Sequence, residues 1–249
     1  MFLLLDDLRG IVKSRGLPRW KVFTAYVGLR TAERLRWFLR RGEQPVARLF
    51  NLQLHYSNYH ALRHLFREIF IQQTYWFEAD SYTPTIFDCG GNIGISVVYF
   101  KMLYPRARVV VFEPDPGAFP LLQKNIEKNA LADVELHQVA LCARTEPRTF
   151  YASCDTPGGL NHGLLATRVE STKRLTHTVD GQPLSRFLSS PIDVLKMDLE
   201  GSEREVIEEL AACDCLRLVN SMMIEFHHRI PGQDSALAPF LTLLEAAGF

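Results

Sequence analysis

The stretch from Ile86 to Ser96, Ile-Phe-Asp-Cys-Gly-Gly-Asn-Ile-Gly-Ile-Ser, constrains the fold more than any other part of the chain. Its apolar start predicts a buried strand, its glycines predict a turn, and the residues after Gly94 predict a helix. Gly90 and Gly91 suit a turn against a ligand, because glycine adopts positive φ and permits close backbone approach. Such a turn points backbone N–H groups into the crevice at the carboxyl end of a strand, where open α/β sheets bind ligands.

The spacing of these glycines distinguishes two kinds of nucleotide site. The dinucleotide fingerprint G-x-G-x-x-G fails here, and the loop reads D-x-G-x-N-x-G from Asp88. A leading acidic residue disfavours a pyrophosphate and favours a ligand with an ammonium group, such as the methionine part of S-adenosylmethionine. The loop residues predicted to contact this cofactor are Asp88, Gly90, Gly91, Asn92, Gly94 and Ser96.

A second strand, predicted at 108–112, ends in Glu113-Pro114-Asp115. A carboxylate at the tip of this strand can accept hydrogen bonds from both ribose hydroxyls of a nucleotide. Pro114 ends the strand, because proline has no N–H to donate to a neighbouring strand. We therefore predict that Glu113 and Pro114 contact the cofactor, with a solvated strand-end charge as the alternative for Glu113.

Two later strands bring polar side chains to the same edge of the predicted sheet. The strand at 193–197 is followed by Asp198-Leu199-Glu200-Gly201, and the strand at 219–225 is followed by Phe226-His227. Side chains alternate along a strand, so Asp198 and Glu200 are expected on one side. The residues predicted to face a substrate are Asp198, Glu200, Glu225 and His227, and Asp198 is also predicted to contact the cofactor. Ser202 and Glu205 predict a capping box at the next helix.

Three segments in this order resemble the FkbM family of S-adenosylmethionine-dependent methyltransferases. They are Asp88-Cys-Gly-Gly-Asn-Ile-Gly, Val111-Phe-Glu-Pro-Asp-Pro and Val194-Leu-Lys-Met-Asp-Leu-Glu-Gly-Ser-Glu, and Ile224-Glu-Phe-His also fits. The resemblance covers residues 66–249. It implies an α/β, class I methyltransferase fold, which is Rossmann-like with a doubly wound, mostly parallel sheet, and in most members O-methylation. It further implies that Tyr75 and Glu78 lie near the cofactor, and that Val139 and Ala140 flank its adenine, with simple packing as the alternative.

Methyl transfer requires an aligned acceptor and a group that removes the acceptor proton. His227 is the first choice as base, because histidine accepts protons near neutral pH. Alternatively, Asp198 with Glu200 or Glu225 would bind Mg²⁺, a cation that prefers oxygen ligands; the metal-free version is preferred. The loop at 156–163 could cover the acceptor, with His162 either a substrate contact or an exposed histidine. The expected acceptor is a hydroxyl on a glycan or secondary metabolite.

The N-terminal part of the chain has its own charge and pattern. The whole chain has a formal net charge of zero, yet residues 1–50 contain eleven Lys and Arg against four Asp and Glu. We predict a helical extension over residues 1–65, followed by the methyltransferase domain at 66–249. Three interpretations of the basic helix stay open: a solvated cap, a surface that recruits an anionic partner or carrier, and a helix on a membrane surface. No nucleic-acid partner is expected, since no such binding motif appears.

The remaining features concern location, assembly and the alternative function. The five cysteines lack zinc spacing, and no run is long enough to span a membrane, so a cytoplasmic protein without a transmembrane segment is expected. An apolar helix predicted at 235–247 stands where class I methyltransferases usually continue to a final β-hairpin, which is apparently missing. The last strand would then have an exposed edge, which suggests a homodimer. The alternative function is a non-catalytic module that binds S-adenosylmethionine or S-adenosylhomocysteine and acts through protein contacts.

Overall fold

Alternating apolar runs and turn residues fold into alternating strands and helices. The computed structural model describes residues 2–39, 46–154, 159–160, 162–169, 174–228, 230 and 237–249. In chain order, the elements are α1 (Phe2–Lys13), α2 (Arg19–Leu39), β1 (Val46–Leu49), β2 (Leu52–His55), α3 (Tyr59–Phe66), β3 (Thr85–Cys89), α4 (Ile95–Leu103), β4 (Arg108–Phe112), α5 (Phe119–Lys128), β5 (Val134–His137), β6 (Ala140–Leu141), β7 (Glu146–Ser153), β8 (Arg174–Gln182), β9 (Ile192–Met197), α6 (Glu203–Ala212), β10 (Val219–Ile224) and α7 (Leu237–Ala246). The strands predicted at 85–89 and 108–112 have the expected bounds.

The central sheet has five parallel strands in the order β10-β9-β3-β4-β5. Successive residues of β3 face opposite sides, so Ile86 joins one hydrophobic core and Phe87 joins the other. Helices α4 and α5 cover the first side and α6 covers the second. This arrangement confirms the predicted doubly wound, Rossmann-like α/β fold, and it brings the carboxyl ends of β3, β4 and β9 to one edge.

The N-terminal extension is helical over α1 and α2, as predicted, but the expectation of helix throughout residues 1–65 is wrong at 46–55. These residues form an antiparallel hairpin, β1–β2, whose two turn residues Phe50 and Asn51 have φ values of 55° and 66°. The ring of Phe50 stacks on Phe66 and Phe70, with centroid distances of 5.9 and 4.8 Å. The hairpin therefore depends on packing against a later helix, which local periodicity does not reveal.

The helix is not interrupted at the domain boundary predicted between residues 65 and 66. Helix α3 runs directly into a π-helical segment, Arg67–Gln72, so position 65 lies inside a continuous helical run. Ile11, Leu29 and Phe66 share one buried core with Ile86 of the central sheet. The extension and the sheet are thus packed together, and the boundary itself stays a prediction.

Asn125 on α5 connects the hairpin to the first glycine-rich turn. Its side chain is fully buried, and its Oδ1 accepts a hydrogen bond from the His55 N–H at 2.6 Å. Its Nδ2 donates to the His55 carbonyl at 2.9 Å and to the Ile93 carbonyl at 2.7 Å. One buried amide therefore satisfies three backbone groups from two separate segments.

The capping box predicted at the start of α6 is absent. Ser202 occupies the N-cap position, but its side chain makes no capping hydrogen bond. The Glu205 carboxylate instead accepts hydrogen bonds from Arg148 Nη1 and Nη2 at 2.8 and 3.2 Å, and from the Ala143 N–H at 3.0 Å. Glu205 thus ties α6 to β7, which belongs to a small second sheet with the order β6-β8-β7.

The C-terminal part ends in an apolar helix, as predicted, although residues 235 and 236 of the expected helix lie outside the described residues. Within the described ranges, no strand pairs with the outer side of β10. The helices that the structure describes include none with the length and apolar character needed to cross a membrane.

We expect Asn125→Ala to lower the free energy of unfolding by about 3 kcal/mol, because it leaves buried backbone groups of His55 and Ile93 without partners. Asn129→Ala is the matched control, since Asn129 makes the same paired contact with the Gln53 backbone at 2.8 Å on an exposed surface. Asn129→Ala should lower the free energy of unfolding by about 1 kcal/mol or less. Urea denaturation of both variants measures the difference, and equal costs would contradict the role of Asn125.

Candidate active site

A cavity opens at the carboxyl edge of β3, β4 and β9, where the sequence predicted a cofactor site. Nine predicted site residues line it: Gly90, Gly91, Asn92, Ser96, Glu113, Pro114, Ala140, Asp198 and Glu200. Five others lie outside the lining that the described residues form: Asp88, Gly94, Val139, Glu225 and His227. Apolar side chains missed by the sequence analysis complete the wall: Leu65, Ile69, Leu141, Phe150, Leu160 and Leu164.

Gly90 shows why the turn after β3 requires glycine. Its φ is 88°, and a Cβ atom added there would lie 1.9 Å from the carbonyl oxygen of Asp198. The Gly90 and Gly91 N–H groups both donate to the Phe112 carbonyl, at 2.9 and 3.1 Å. The turn is therefore held between the ends of β4 and β9, and its backbone forms one wall of the cavity.

Asp88 is paired with Lys196 and does not line the cavity. Its side chain is completely buried, with Lys196 Nζ 3.0 Å from Oδ1 as an ion pair and Ser96 Oγ donating to Oδ2. In the parallel register of β3 and β9, Asp88 lies directly beside Lys196. Burial opposes the charge on Lys196, but Asp88, Tyr75 and Asp198 together outweigh that effect and raise the pKa of the ammonium group. The structure therefore gives no support to the expectation that Asp88 holds the ammonium group of a cofactor, because its carboxylate is already paired and does not line the cavity.

Lys196 also fixes the turn itself. Its Nζ donates to the Gly90 carbonyl at 2.6 Å and to the Cys89 carbonyl at 3.4 Å. The same ammonium group lies 5.1 Å from the centre of the Tyr75 ring. Lys196 was not among the predicted site residues, although a single lysine within the apolar strand β9 is a signal that could have indicated its role.

Glu113 lies where the sequence predicted, at the end of β4 and facing the cavity. It is only 6% exposed, and its Oε2 and Oε1 accept hydrogen bonds from the N–H groups of Asn92 and Asp115 at 2.7 and 2.8 Å. Burial, together with the nearby Asp115 carboxylate, raises the pKa of Glu113 to about 8. The carboxyl group is thus oriented by backbone groups while it remains next to open space.

His162 is buried, so its interpretation as an exposed loop histidine is wrong. Its Nε2 accepts a hydrogen bond from the Ser153 N–H at 3.0 Å, which leaves the proton on Nδ1. Nδ1 then donates to Asp115 Oδ2 at 2.7 Å. Residues 156–158 and 161 of the predicted loop lie outside the described residues. The described part of the loop lines one side of the cavity, and the hydrogen bond between His162 and Asp115 connects it to the segment that carries Glu113.

Asp198 presents the clearest unsatisfied group in the cavity wall. Its Oδ1 is buried and has no hydrogen-bond partner among the described residues. Its Oδ2 lies 3.5 Å from the Tyr75 hydroxyl. Tyr75 also lines the cavity, whereas Glu78 is exposed and does not. The structure therefore supports the expected position of Tyr75 but not that of Glu78.

Glu203, which was not among the predicted site residues, organises the second side of the site. It is 1% exposed, and its Oε1 accepts hydrogen bonds from the Leu199 and Gly201 N–H groups at 3.0 and 3.1 Å. The same oxygen lies 2.8 Å from His227 Nδ1. One buried carboxylate thus shapes the loop that carries Glu200 and positions His227 beneath it.

The surroundings of His227 do not suit a neutral base. Its Nε2 lies 3.5 Å from Glu200 Oε2 and 3.6 Å from Glu225 Oε1. Burial disfavours the charged ring, but the Glu203 hydrogen bond and the other nearby carboxylates outweigh burial and raise the pKa of His227 to about 9. The imidazole is therefore protonated near neutral pH, and this gives no support to the expectation that it takes up the acceptor proton there.

Of the three predicted Mg²⁺ ligands, Asp198 and Glu200 lie close together, in the company of His227. Donor atoms of Asp198, Glu200 and His227 lie within 4.8 Å of one another, and Glu225 is not part of this set. A histidine nitrogen replaces one of the oxygen ligands that Mg²⁺ prefers, and that histidine is held by Glu203. The donor set therefore gives no support to a magnesium site.

We expect Lys196→Met to lower the free energy of unfolding by about 3–5 kcal/mol, because it leaves the Asp88 charge buried and unpaired. The double variant Asp88→Asn, Lys196→Met removes both charges and should recover a large part of this loss. Guanidinium denaturation measures the free energy of unfolding of the two variants. A double variant as unstable as Lys196→Met alone would show that the lysine acts through its carbonyl contacts and not through Asp88.

Comparison with known proteins identifies the family of the chain. The family described as Methyltransferase FkbM domain matches residues 88–249. Methyltransferase 1 of Beauveria bassiana strain ARSEF 2860 is 30% identical over 207 residues, which cover 74% of this chain and 79% of the relative. The 31-O-demethyl-FK506 methyltransferase FkbM of Streptomyces tacrolimicus is 26% identical over 219 residues, which cover 74% and 80%. The crystal structure of Methyltransferase FkbM from Methylobacillus flagellatus KT aligns with 57% of this chain and 32% of its own, at 18% identity and a TM-score of 0.39. The chain belongs to the FkbM family of methyltransferases.

Proposed function

We propose that the chain transfers a methyl group from S-adenosylmethionine to a hydroxyl group of a glycan or secondary metabolite. The observation that carries this proposal is the buried Oδ1 of Asp198, which has no hydrogen-bond partner in the described part of the chain and lies beside the close-packed Gly90 turn. A buried carboxylate oxygen without a partner is costly unless a ligand satisfies it. The ammonium group of the cofactor's methionine part is a fitting donor, so Asp198 takes the role first expected of Asp88.

The rest of the cavity suits the remaining parts of the cofactor. The oriented carboxyl group of Glu113 can accept hydrogen bonds from the two ribose hydroxyls. Ala140, Leu141 and Phe150 offer an apolar wall for the adenine ring. When bound, S-adenosylmethionine supplies a methyl group that its sulfonium already activates. The chain's own contribution is then to orient the two reactants, exclude water and accept one proton.

Glu200 is the group best placed to accept that proton. It lines the cavity, and the protonated His227 lies 3.5 Å from its Oε2. The acceptor hydroxyl would donate its proton to the Glu200 carboxylate, which the charged imidazole and Glu203 hold in position. Glu225 is 45% exposed and contacts His227 from the solvent side, so we assign it a supporting role at the rim.

The choice of an oxygen acceptor has separate support. One relative, the 31-O-demethyl-FK506 methyltransferase of Streptomyces tacrolimicus, is named for methylation at an oxygen. A carboxylate base beside a largely apolar wall also suits a neutral hydroxyl acceptor. The cytoplasmic location and the homodimer suggested by the sequence stay predictions.

The direct test is transfer of a radiolabelled methyl group from S-adenosylmethionine to a panel of hydroxylated sugars and polyketides. We expect labelled product with the wild-type protein. Glu200→Gln should lower the rate of transfer about a hundredfold, since a positioned base contributes about this factor. The matched control Glu208→Gln alters an exposed carboxylate on α6 and should leave the rate unchanged. Cofactor binding without transfer to any acceptor would instead favour the non-catalytic module.

The pH dependence of turnover should follow the charge of His227. If His227 must be protonated, turnover stays high through neutral pH and falls as the pH passes about 9, where the imidazole loses its proton. His227→Gln should lower turnover at neutral pH and remove this fall. Initial rates at saturating cofactor measure both effects. A wild-type rate that rises toward the pKa of His227 would show that the neutral imidazole is the base after all.

A further inference from the structure

Exposed apolar side chains are concentrated in the two N-terminal helices. The described residues include ten exposed large apolar side chains, and five of them lie between residues 5 and 27. Those five are Leu5, Val12, Trp20, Phe23 and Val27. Scattered single residues of this kind are ordinary on a protein surface, but a concentration on one pair of helices marks an interaction surface.

Helix α2 carries three of these side chains on one face. Trp20, Phe23 and Val27 are 66%, 44% and 39% exposed, and their spacing of three and four residues places them side by side. Val22 and Leu29, on the opposite face, are buried in the core. The inner face therefore fixes the helix on the protein, and the outer face presents an aromatic and aliphatic stripe to the surroundings.

Basic residues flank this stripe, and the nearby acidic residues are already paired. Arg19 and Lys21 are exposed, and Lys21 Nζ lies 5.7 Å from the centre of the Trp20 ring. Of the acidic residues on α1 and α2, Asp7 pairs with Arg67 at 2.6 Å, and Glu33 pairs with Arg63. Asp6 pairs with Arg9 on the same helix. The stripe thus lies in a positive field with its local acids neutralised by pairing.

We propose that the outer face of α2 binds the surface of an anionic lipid membrane. Tryptophan and phenylalanine insert at the boundary between headgroups and acyl chains, while lysine and arginine beside them attract anionic headgroups. A second copy of the chain is disfavoured as the occupant, because a self-complementary contact would bring the same positive charges together. The protein therefore binds a bilayer peripherally, through a face that the folded core already holds rigid.

The test is cosedimentation of the full chain with vesicles of phosphatidylcholine alone or of phosphatidylcholine with phosphatidylserine. We expect binding to the anionic vesicles only, and binding should weaken as salt concentration rises. Trp20→Ser with Phe23→Ser should reduce binding at least tenfold. Lys21→Gln should reduce it about fivefold, the factor expected for one cation near an anionic surface.

Matched controls distinguish binding through this face from nonspecific binding through any exposed aromatic or basic side chain. Tyr82→Ser removes an aromatic side chain that is 83% exposed elsewhere, and Lys124→Gln removes an exposed lysine on α5; neither should change vesicle binding. Circular dichroism verifies that each variant is folded. The proposal is overturned by equal binding to neutral vesicles, by no vesicle binding, or by self-association that Trp20→Ser and Phe23→Ser abolish.

Discussion

The site depends on a buried ion pair between neighbouring strands of the central sheet. The register of β3 and β9 sets Asp88 beside Lys196, and both side chains are at most 2% exposed. Each charge is tolerable there only because the other is present. Since Lys196 also donates to the Gly90 carbonyl, the pair connects the sheet to the turn that forms the cavity wall. A strand-level interaction thereby fixes the position of a ligand-binding loop.

The carboxylates at this edge of the sheet differ in function because their surroundings differ. Asp88 is neutralised by an ion pair, and Glu203 is occupied by two backbone N–H groups and His227. Glu113 is oriented by backbone donors, and burial raises its pKa. Asp88 Oδ1 and Asp198 Oδ1 are both buried without a hydrogen bond among the described residues, but Asp88 Oδ1 lies 3.0 Å from Lys196 Nζ as an ion pair. Asp88 and Glu203 therefore stabilise the site, while Asp198 and Glu113 remain available to bind a ligand.

The features that the sequence predicted well are those encoded locally. Strand ends, the glycine turn and the position of Glu113 follow from short patterns, and the structure has them where expected. The features it missed depend on contacts between distant residues. The partner of Asp88 lies 108 residues later in the chain, and the hairpin at 46–55 requires the amide of Asn125. The protonation of His227 likewise follows from Glu203, whose carboxylate is brought near only by folding.

We propose that this cavity binds S-adenosylmethionine through the Asp198 carboxylate. Isothermal titration of S-adenosylmethionine into the wild-type protein, Asp198→Asn and the exposed-site control Glu78→Gln tests it most directly. We expect micromolar binding by the wild type and the control, and an affinity lower by about tenfold or more, about 1.4 kcal/mol, for Asp198→Asn. No binding by the folded wild-type protein, or equal affinity for Asp198→Asn, would contradict it.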